Sequence, residues 1–149
     1  MKILFLDIDG VLNSKRSAVA FSHFPWTVKG RDLQRFDKVA VALIRKVCLK
    51  TGALCVLSST WRNHTWWEQI GPALKLPILD RTPDKIGAVR GKEIDMWLEA
   101  HPEVHTYAIV DDDRDMLEEQ KPFFVQTDNN NGLTLQNYDA LIKILGELV

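Results

Sequence analysis

Four short apolar runs punctuate the chain. Ile3–Leu6 ends in Asp-Ile-Asp-Gly, Leu54–Leu57 in Ser-Ser-Thr, Tyr107–Val110 in three aspartates, and Phe123–Gln126 in Thr-Asp-Asn. Each is continuous rather than alternating and is bounded by turn-forming residues, the pattern of a strand buried on both faces. Between these runs the period becomes helical. Asp37–Lys50 carries Val39, Ala40, Leu43, Ile44 and Val47 on one stripe and closes at Gly52. Thr65–Ile70 reads as a short helix opened by Thr65, with Glu68 three residues on. Gly91–Ala100 places Ile94, Trp97 and Leu98 together and stops before Pro102. Arg114–Gln120 is predicted to be helical. Thr134 is expected to cap a last helix that turns Leu141, Ile144, Leu145 and Leu148 inward. Strand and helix alternate, which predicts an α/β fold: a doubly wound, Rossmann-like, mainly parallel sheet with helices on both faces.

In such a sheet, ligands bind beyond the carboxyl ends of the strands. The polar residues that follow the predicted strands are therefore the candidates for chemistry. Asp7 and Asp9 follow the first, Ser58, Ser59, Thr60 and Arg62 the second, and Asp111, Asp112, Asp113 and Asp115 the third. Carboxylates gathered this closely repel one another, and a divalent cation relieves the repulsion. Oxygen ligands without a His or Cys cluster favour Mg²⁺ over zinc. The histidines, His23, His64, His101 and His105, are dispersed and lack ligand spacing. Asp113 and Asp115 also suit turns and helix caps.

Composition narrows the setting. The chain has 149 residues and a net charge of −1, so no overall basic field draws it to nucleic acid or anionic lipid. Residues 1–149 are expected to form a single domain, with no repeat and no linker. The first apolar run is too short for a signal peptide and no run is long enough to span a membrane, so a cytoplasmic location is expected. Cys48 and Cys55 sit among aliphatic residues and are expected to be buried free thiols.

Asp7-Ile8-Asp9-Gly10-Val11-Leu12-Asn13 after a strand resembles the first motif of the haloacid dehalogenase (HAD) superfamily of phosphohydrolases. Ser58 after the second strand resembles the second motif, Arg90-Gly91 opening a helix the basic third, and Asp111-Asp112 the acidic fourth. Ser58-Ser59-Thr60-Trp61-Arg62 and Gly132-Leu133-Thr134 look more narrowly like small HAD domains of nucleic-acid repair proteins. The stretch from Arg90 to Asp112 is similar to the phosphatase module of polynucleotide kinase-phosphatases. The resemblance implies Asp7 as nucleophile, forming an aspartyl-phosphate, and Asp9 as general acid and then base. Related ATP-driven pumps carry Thr at the second position, and the acyl-phosphate persists; Asp9 here implies rapid hydrolysis and hence a phosphatase. Mg²⁺ would be held by Asp7, the Asp9 backbone carbonyl and Asp112, with Asp111 acting through a water. Ser58 and amides near Gly10 would hold the phosphoryl oxygens. Arg90 fits the third-motif cation better than Lys92, although both open the same helix. Ser59 is a further candidate for substrate binding, and Arg62 for a second, bidentate phosphate clamp.

Gly10 and Asp37 are about 25 residues apart, and Ser58 and Arg90 about 30. Neither interval fits the full cap domain that encloses substrate in many HAD enzymes, so an open site is expected, with no large cap. An open site suits a phosphorylated nucleic-acid end or needs a partner, such as a repair protein, for closure. Phe21, Phe24 and Trp26 in one interval, and Trp61, Trp66 and Trp67 in the other, either stack on bases or form a satellite core. Lys15, Arg16, Lys29, Arg31 and Arg35 give the first interval a basic cast. The reading is an Mg²⁺-dependent phosphatase for a nucleotide or a nucleic-acid 3′-phosphate; the alternative is a phosphatase of a sugar phosphate or other metabolite. A response-regulator receiver would need a Lys after its last strand, where Thr127-Asp128 stands. A P-loop kinase lacks its Gly-x-x-x-x-Gly-Lys motif. Intact Asp7 and Asp9 argue against a silent binding module.

Overall fold

In β1 (Lys2–Leu6), Leu4 and Leu6 belong to one core cluster and Ile3 and Phe5 to the other, and all four are fully buried. A strand with no solvent face must lie inside a sheet covered on both sides. The computed structural model, which describes Met1–Val149, shows that sheet. β1 is joined by β2 (Leu54–Leu57), β3 (Ile78–Arg81), β4 (Thr106–Asp111) and β5 (Phe124–Gln126). The order is β3-β2-β1-β4-β5 and every pair is parallel. In register, Leu6 faces Leu57 on one side and Val110 on the other. Asp7, Ser58 and Asp111 therefore emerge together at one edge.

Five helices complete the chain: α1 (Lys15–Ala20), α2 (Lys38–Thr51), α3 (Ile70–Leu74), α4 (Arg90–Glu99) and α5 (Leu135–Leu145). α2 and α5 cover the Leu4/Leu6 face through Ala40, Ile44, Leu141 and Leu145. α4 covers the other face, where Ile94 and Trp97 meet Ile3, Phe5, Val56 and Ile109. The Trp97 ring lies edge-on to Phe5 at 5.5 Å. Caps fix the helix ends. Asp37 accepts from the Val39 and Ala40 amides, and Gly52 takes the left-handed conformation (φ 77°) that stops α2. Thr134 and Asn137 cap each other at the start of α5. Cys48 and Cys55 are free and buried, their sulfurs 3.6 Å apart. No helix is long and apolar enough to cross a membrane.

The long stripes and apolar runs thus form the predicted α/β, Rossmann-like fold, and the two intervals hold short helices, turns and the edge strand β3 rather than a large cap. Three local expectations need correction, and one strand was not expected. Thr65 does not open a helix; Trp67–Gln69 is one 3₁₀ turn that runs into α3, and His64 and Trp66 stack on each other just before it. Arg114–Gln120 is not helical, and a 3₁₀ turn spans only Glu118–Phe123. The Asp115 carboxylate and carbonyl instead accept from the Arg90 and Gly91 amides at the start of α4. β3 escapes a periodicity reading because it is a half-exposed edge strand of four residues. Leu148 is exposed, since Gly146 ends α5 before it.

Gly91 marks the closest approach of α4 to this loop. A Cβ there would lie 2.6 Å from the Leu117 amide nitrogen and 2.8 Å from the Met116 Cα. Gly91→Ala is therefore expected to cost about 1–3 kcal/mol of stability by overpacking against backbone. Urea unfolding checks this, and an unchanged midpoint would contradict it.

Candidate active site

β1 connects away from β4, so a crevice opens between their carboxyl ends, where the order of the sheet reverses. Asp7 leaves β1 there and Asp111 ends β4; both are buried. The Arg90 guanidinium bridges them, with Nη1 3.1 Å from Asp111 Oδ2 and 3.4 Å from Asp7 Oδ1. Arg90 reaches this position from the first residue of α4, whose amide donates to the Asp115 carboxylate. The Asp112 carboxylate joins the group: oxygens of Asp7, Asp111 and Asp112 lie within 4.8 Å of one another. An all-oxygen set of this kind fits a hard divalent cation.

Gly10 makes this packing possible. It adopts φ 80°, and a Cβ on it would lie 2.3 Å from Asp112 Oδ2. Its carbonyl accepts from Thr127 Oγ1 at 2.7 Å, which ties the first turn to the end of β5. Asp9 stands exposed at the mouth with both oxygens fixed: Asn13 Nδ2 donates to Oδ1 at 3.0 Å, and Trp61 Nε1 to Oδ2 at 3.1 Å. Ser58 Oγ is fully buried at the end of β2 and has no partner within the protein.

Burial and repulsion shape the titration of the cluster. Burial pushes the Asp7 carboxyl well above the ordinary carboxylate range; Asp111 and Asp112 push further, and Arg90 opposes them. Burial also pushes Asp111 up, to about 6, against the pull of the Asp113 amide and Arg90. Arg90 is held more firmly charged by Asp7 and Asp111 than its own burial would allow. The folded protein thus binds protons that the unfolded chain has released above pH 3.8. The associated stability is complete below that pH and is lost as pH rises through about 6.

Geometry distributes the remaining candidates. Lys92 points away from the cluster, half exposed, and pairs with Asp95 at 3.6 Å; of the two cations opening α4, Arg90 is the one in the site. Ser59 is buried, and its Oγ accepts from the Trp61 amide, capping the Thr60–Asn63 turn instead of facing a substrate. Gly10 donates its N–H to Asn13 Oδ1 rather than offering it to a ligand. Arg62 is 3% exposed, with Nη2 3.1 Å from both Glu93 oxygens and Nη1 2.7 Å from the Ser59 carbonyl. It is not a free phosphate clamp; it bolts the Ser58-Ser59 turn to α4, and with it Ser58 to Arg90. Periodicity could not single out Trp61 and Thr127 as supports, because each acts on a residue far away in sequence, Asp9 and Gly10. Asn13 and Trp61 each lie inside a motif quoted from the sequence, but as bystanders to its chemistry.

The model of one protein family, the HAD domain in Swiss Army Knife RNA repair proteins, matches residues 3–138. The chain belongs to this family. It matches no curated protein and no solved structure. As a HAD domain it is of the phosphatase-type hydrolase superfamily, whose members typically use a divalent metal, and the crevice carries a cluster of three aspartates that could hold one.

In this HAD domain, Asp111→Asn is expected to leave acid stability little changed and to raise the melting temperature of the metal-free protein near pH 7 by a few degrees. Melts from pH 4 to 8 in EDTA check this; a difference from wild type that does not grow with pH would contradict it. Glu93→Ala removes the buried partner of Arg62, leaving its guanidinium only the exposed Asp84 carboxylate at 3.6 Å, and is expected to cost about 3 kcal/mol. Denaturant unfolding measures that loss, and a cost under about 1 kcal/mol would contradict the buried-pair account.

Proposed function

We propose that this chain is an Mg²⁺-dependent phosphomonoesterase that works through an aspartyl-phosphate on Asp7 and acts on a nucleotide or nucleic-acid 3′-phosphate end. The observation that carries the reading is the Arg90 guanidinium bridging Asp7 and Asp111 beside a fixed Asp9. A phosphate monoester dianion repels a carboxylate, and its unassisted hydrolysis is among the slowest reactions known. Attack becomes feasible when positive charge surrounds the phosphoryl group in a buried site. Mg²⁺, held by Asp7, Asp111 and Asp112 and the Asp9 carbonyl, would supply part of that charge and polarise the phosphoryl oxygens.

The residues of the chain perform the other tasks. An Asp7 carboxylate oxygen forms a bond to phosphorus as the bond to the leaving oxygen breaks. Asp9 gives its proton to that oxygen, then takes one from the water that hydrolyses the acyl-phosphate. Arg90 holds two phosphoryl oxygens as they move, and the unpartnered Ser58 hydroxyl donates to a third. The substrate class rests on the RNA repair setting of the family and on the lack of a cap. A repair enzyme that uses the dephosphorylated end is the partner this implies.

Asp7→Asn is expected to lower kcat on p-nitrophenyl phosphate by at least about 1,000-fold while the circular dichroism spectrum stays unchanged; near-normal turnover would remove Asp7 as nucleophile. A panel of 3′- and 5′-phosphorylated DNA and RNA ends, nucleotides and sugar phosphates, assayed with Mg²⁺, decides the substrate. Preference for a 3′-phosphate end is expected. Turnover of sugar phosphates alone would overturn the nucleic-acid assignment and leave the chemistry standing.

A further inference from the structure

A cleft of about 600 Å³ opens directly beside the candidate active site. Asp9 and Asp112 line it together with Phe24, Trp26, Trp61 and His64. Asp7, Ser58 and Arg90 do not line it. The cleft therefore starts at the group assigned as the acid and runs outward, on the side where a leaving group departs.

Its aromatic residues fall into two sets. Trp61 is buried, edge-on to Phe36 and Trp66, and belongs to the core. Trp26 is 73% exposed and Phe24 is 43% exposed. These two rings are not loosely displayed. Pro25 between them is buried, and the Asp32 carboxylate accepts from the Trp26 and Thr27 amides and from the Thr27 hydroxyl while paired with Arg35. His64, also in the lining, is stacked flat on Trp66, 4.5 Å between centroids and 8° from parallel, and remains exposed. The result is a cleft lined by aromatic rings carried on braced segments. Its rim carries the exposed Asn129 side chain, whose amide has no partner in the protein, and Lys15.

Charge specifies the occupant further. Between Ser14 and Phe36 the chain has five basic residues, Lys15, Arg16, Lys29, Arg31 and Arg35, and one acid, Asp32, already paired with Arg35. Lys15, Arg16, Lys29 and Arg31 are all exposed. A sugar phosphate presents no flat ring to such a lining, and an aromatic side chain of a phosphopeptide brings no polyanion. A nucleic-acid end brings both, with polar base edges for an amide to read.

We propose that this cleft holds the base of the nucleotide whose phosphate is removed, against Phe24 and Trp26, with the basic insert following the adjoining phosphodiester chain. The proposal rests on the phosphomonoesterase reading and adds the leaving-group subsite to it. The base then serves as the handle that sets the ester oxygen beside Asp9.

Equilibrium binding to the Asp7→Asn protein in Mg²⁺, which does not depend on turnover, tests this. The probes are a 3′-phosphorylated oligonucleotide, the same strand with an abasic terminal nucleotide, and a 3′-mononucleotide. The base is expected to tighten binding about ten-fold or more. Adding Phe24→Ala and Trp26→Ala is expected to abolish that difference, with thermal melting unchanged because both rings are exposed. Equal affinity for the intact and abasic strands, undetectable binding included, would overturn the proposal; so would discrimination that survives the double substitution. The oligonucleotide is expected to bind more tightly than the mononucleotide, with a steeper loss in salt. Equal affinities at low salt would overturn the role given to the basic insert. Hydrolysis of p-nitrophenyl phosphate by the unaltered protein judges the phosphatase reading separately, so either can fail alone.

Discussion

Two buried carboxylates at the ends of neighbouring parallel strands cannot both be charged unless positive charge is brought to them. Asp7 and Asp111 are such a pair, and Arg90 answers them from the opposite layer of the fold. Most of the unusual local structure follows from keeping that guanidinium in place. Asp115 caps the α4 backbone at Arg90 and Gly91, and Gly91 lets the helix end press onto the loop after β4. The Arg62–Glu93 pair ties α4 to the turn after β2, so the three strand ends and the helix act as one rigid edge. Gly10 leaves room for Asp112 to complete the oxygen cluster.

The parts of the molecule legible in the sequence are those where one physical signal dominates. β1, β2 and β4 are buried on both faces and read as continuous apolar runs, and α2, α4 and α5 have stripes and stop signals. Asp7, Asp111 and Asp112 were legible because their position after strands determines where they emerge. The rest depended on competition between neighbours. Arg62 and Lys92 look alike as basic residues near a phosphate-type motif, but Arg62 meets Glu93 from the next motif and Lys92 meets Asp95 on its own helix surface. Ser59 reads as a second hydroxyl for substrate, while an adjacent 3₁₀ turn needs it as a cap. The loop after β4 reads as helix, and Asp115 instead caps α4. Such outcomes depend on contacts distant in sequence, which no local pattern encodes.

The aromatic-rich intervals divide for the same reason. Trp61 packs beside Phe36 into the main core rather than into a separate satellite, and its indole also holds Asp9. Phe24 and Trp26 remain outside that core on a braced loop. A chain with no cap domain thus still presents a walled approach to its acidic site, one made from short turns.

Every step proposed for the site depends on Asp7 as the nucleophile that bonds to phosphorus. The direct measurement is acid quenching of the protein during turnover with Mg²⁺, borohydride reduction, and peptide mass spectrometry. A phosphorylated Asp7 is reduced to homoserine, so that conversion within the peptide spanning Lys2 to Lys15 is the predicted result. No conversion under turnover, or conversion at Asp111 or Asp112 instead, would contradict it.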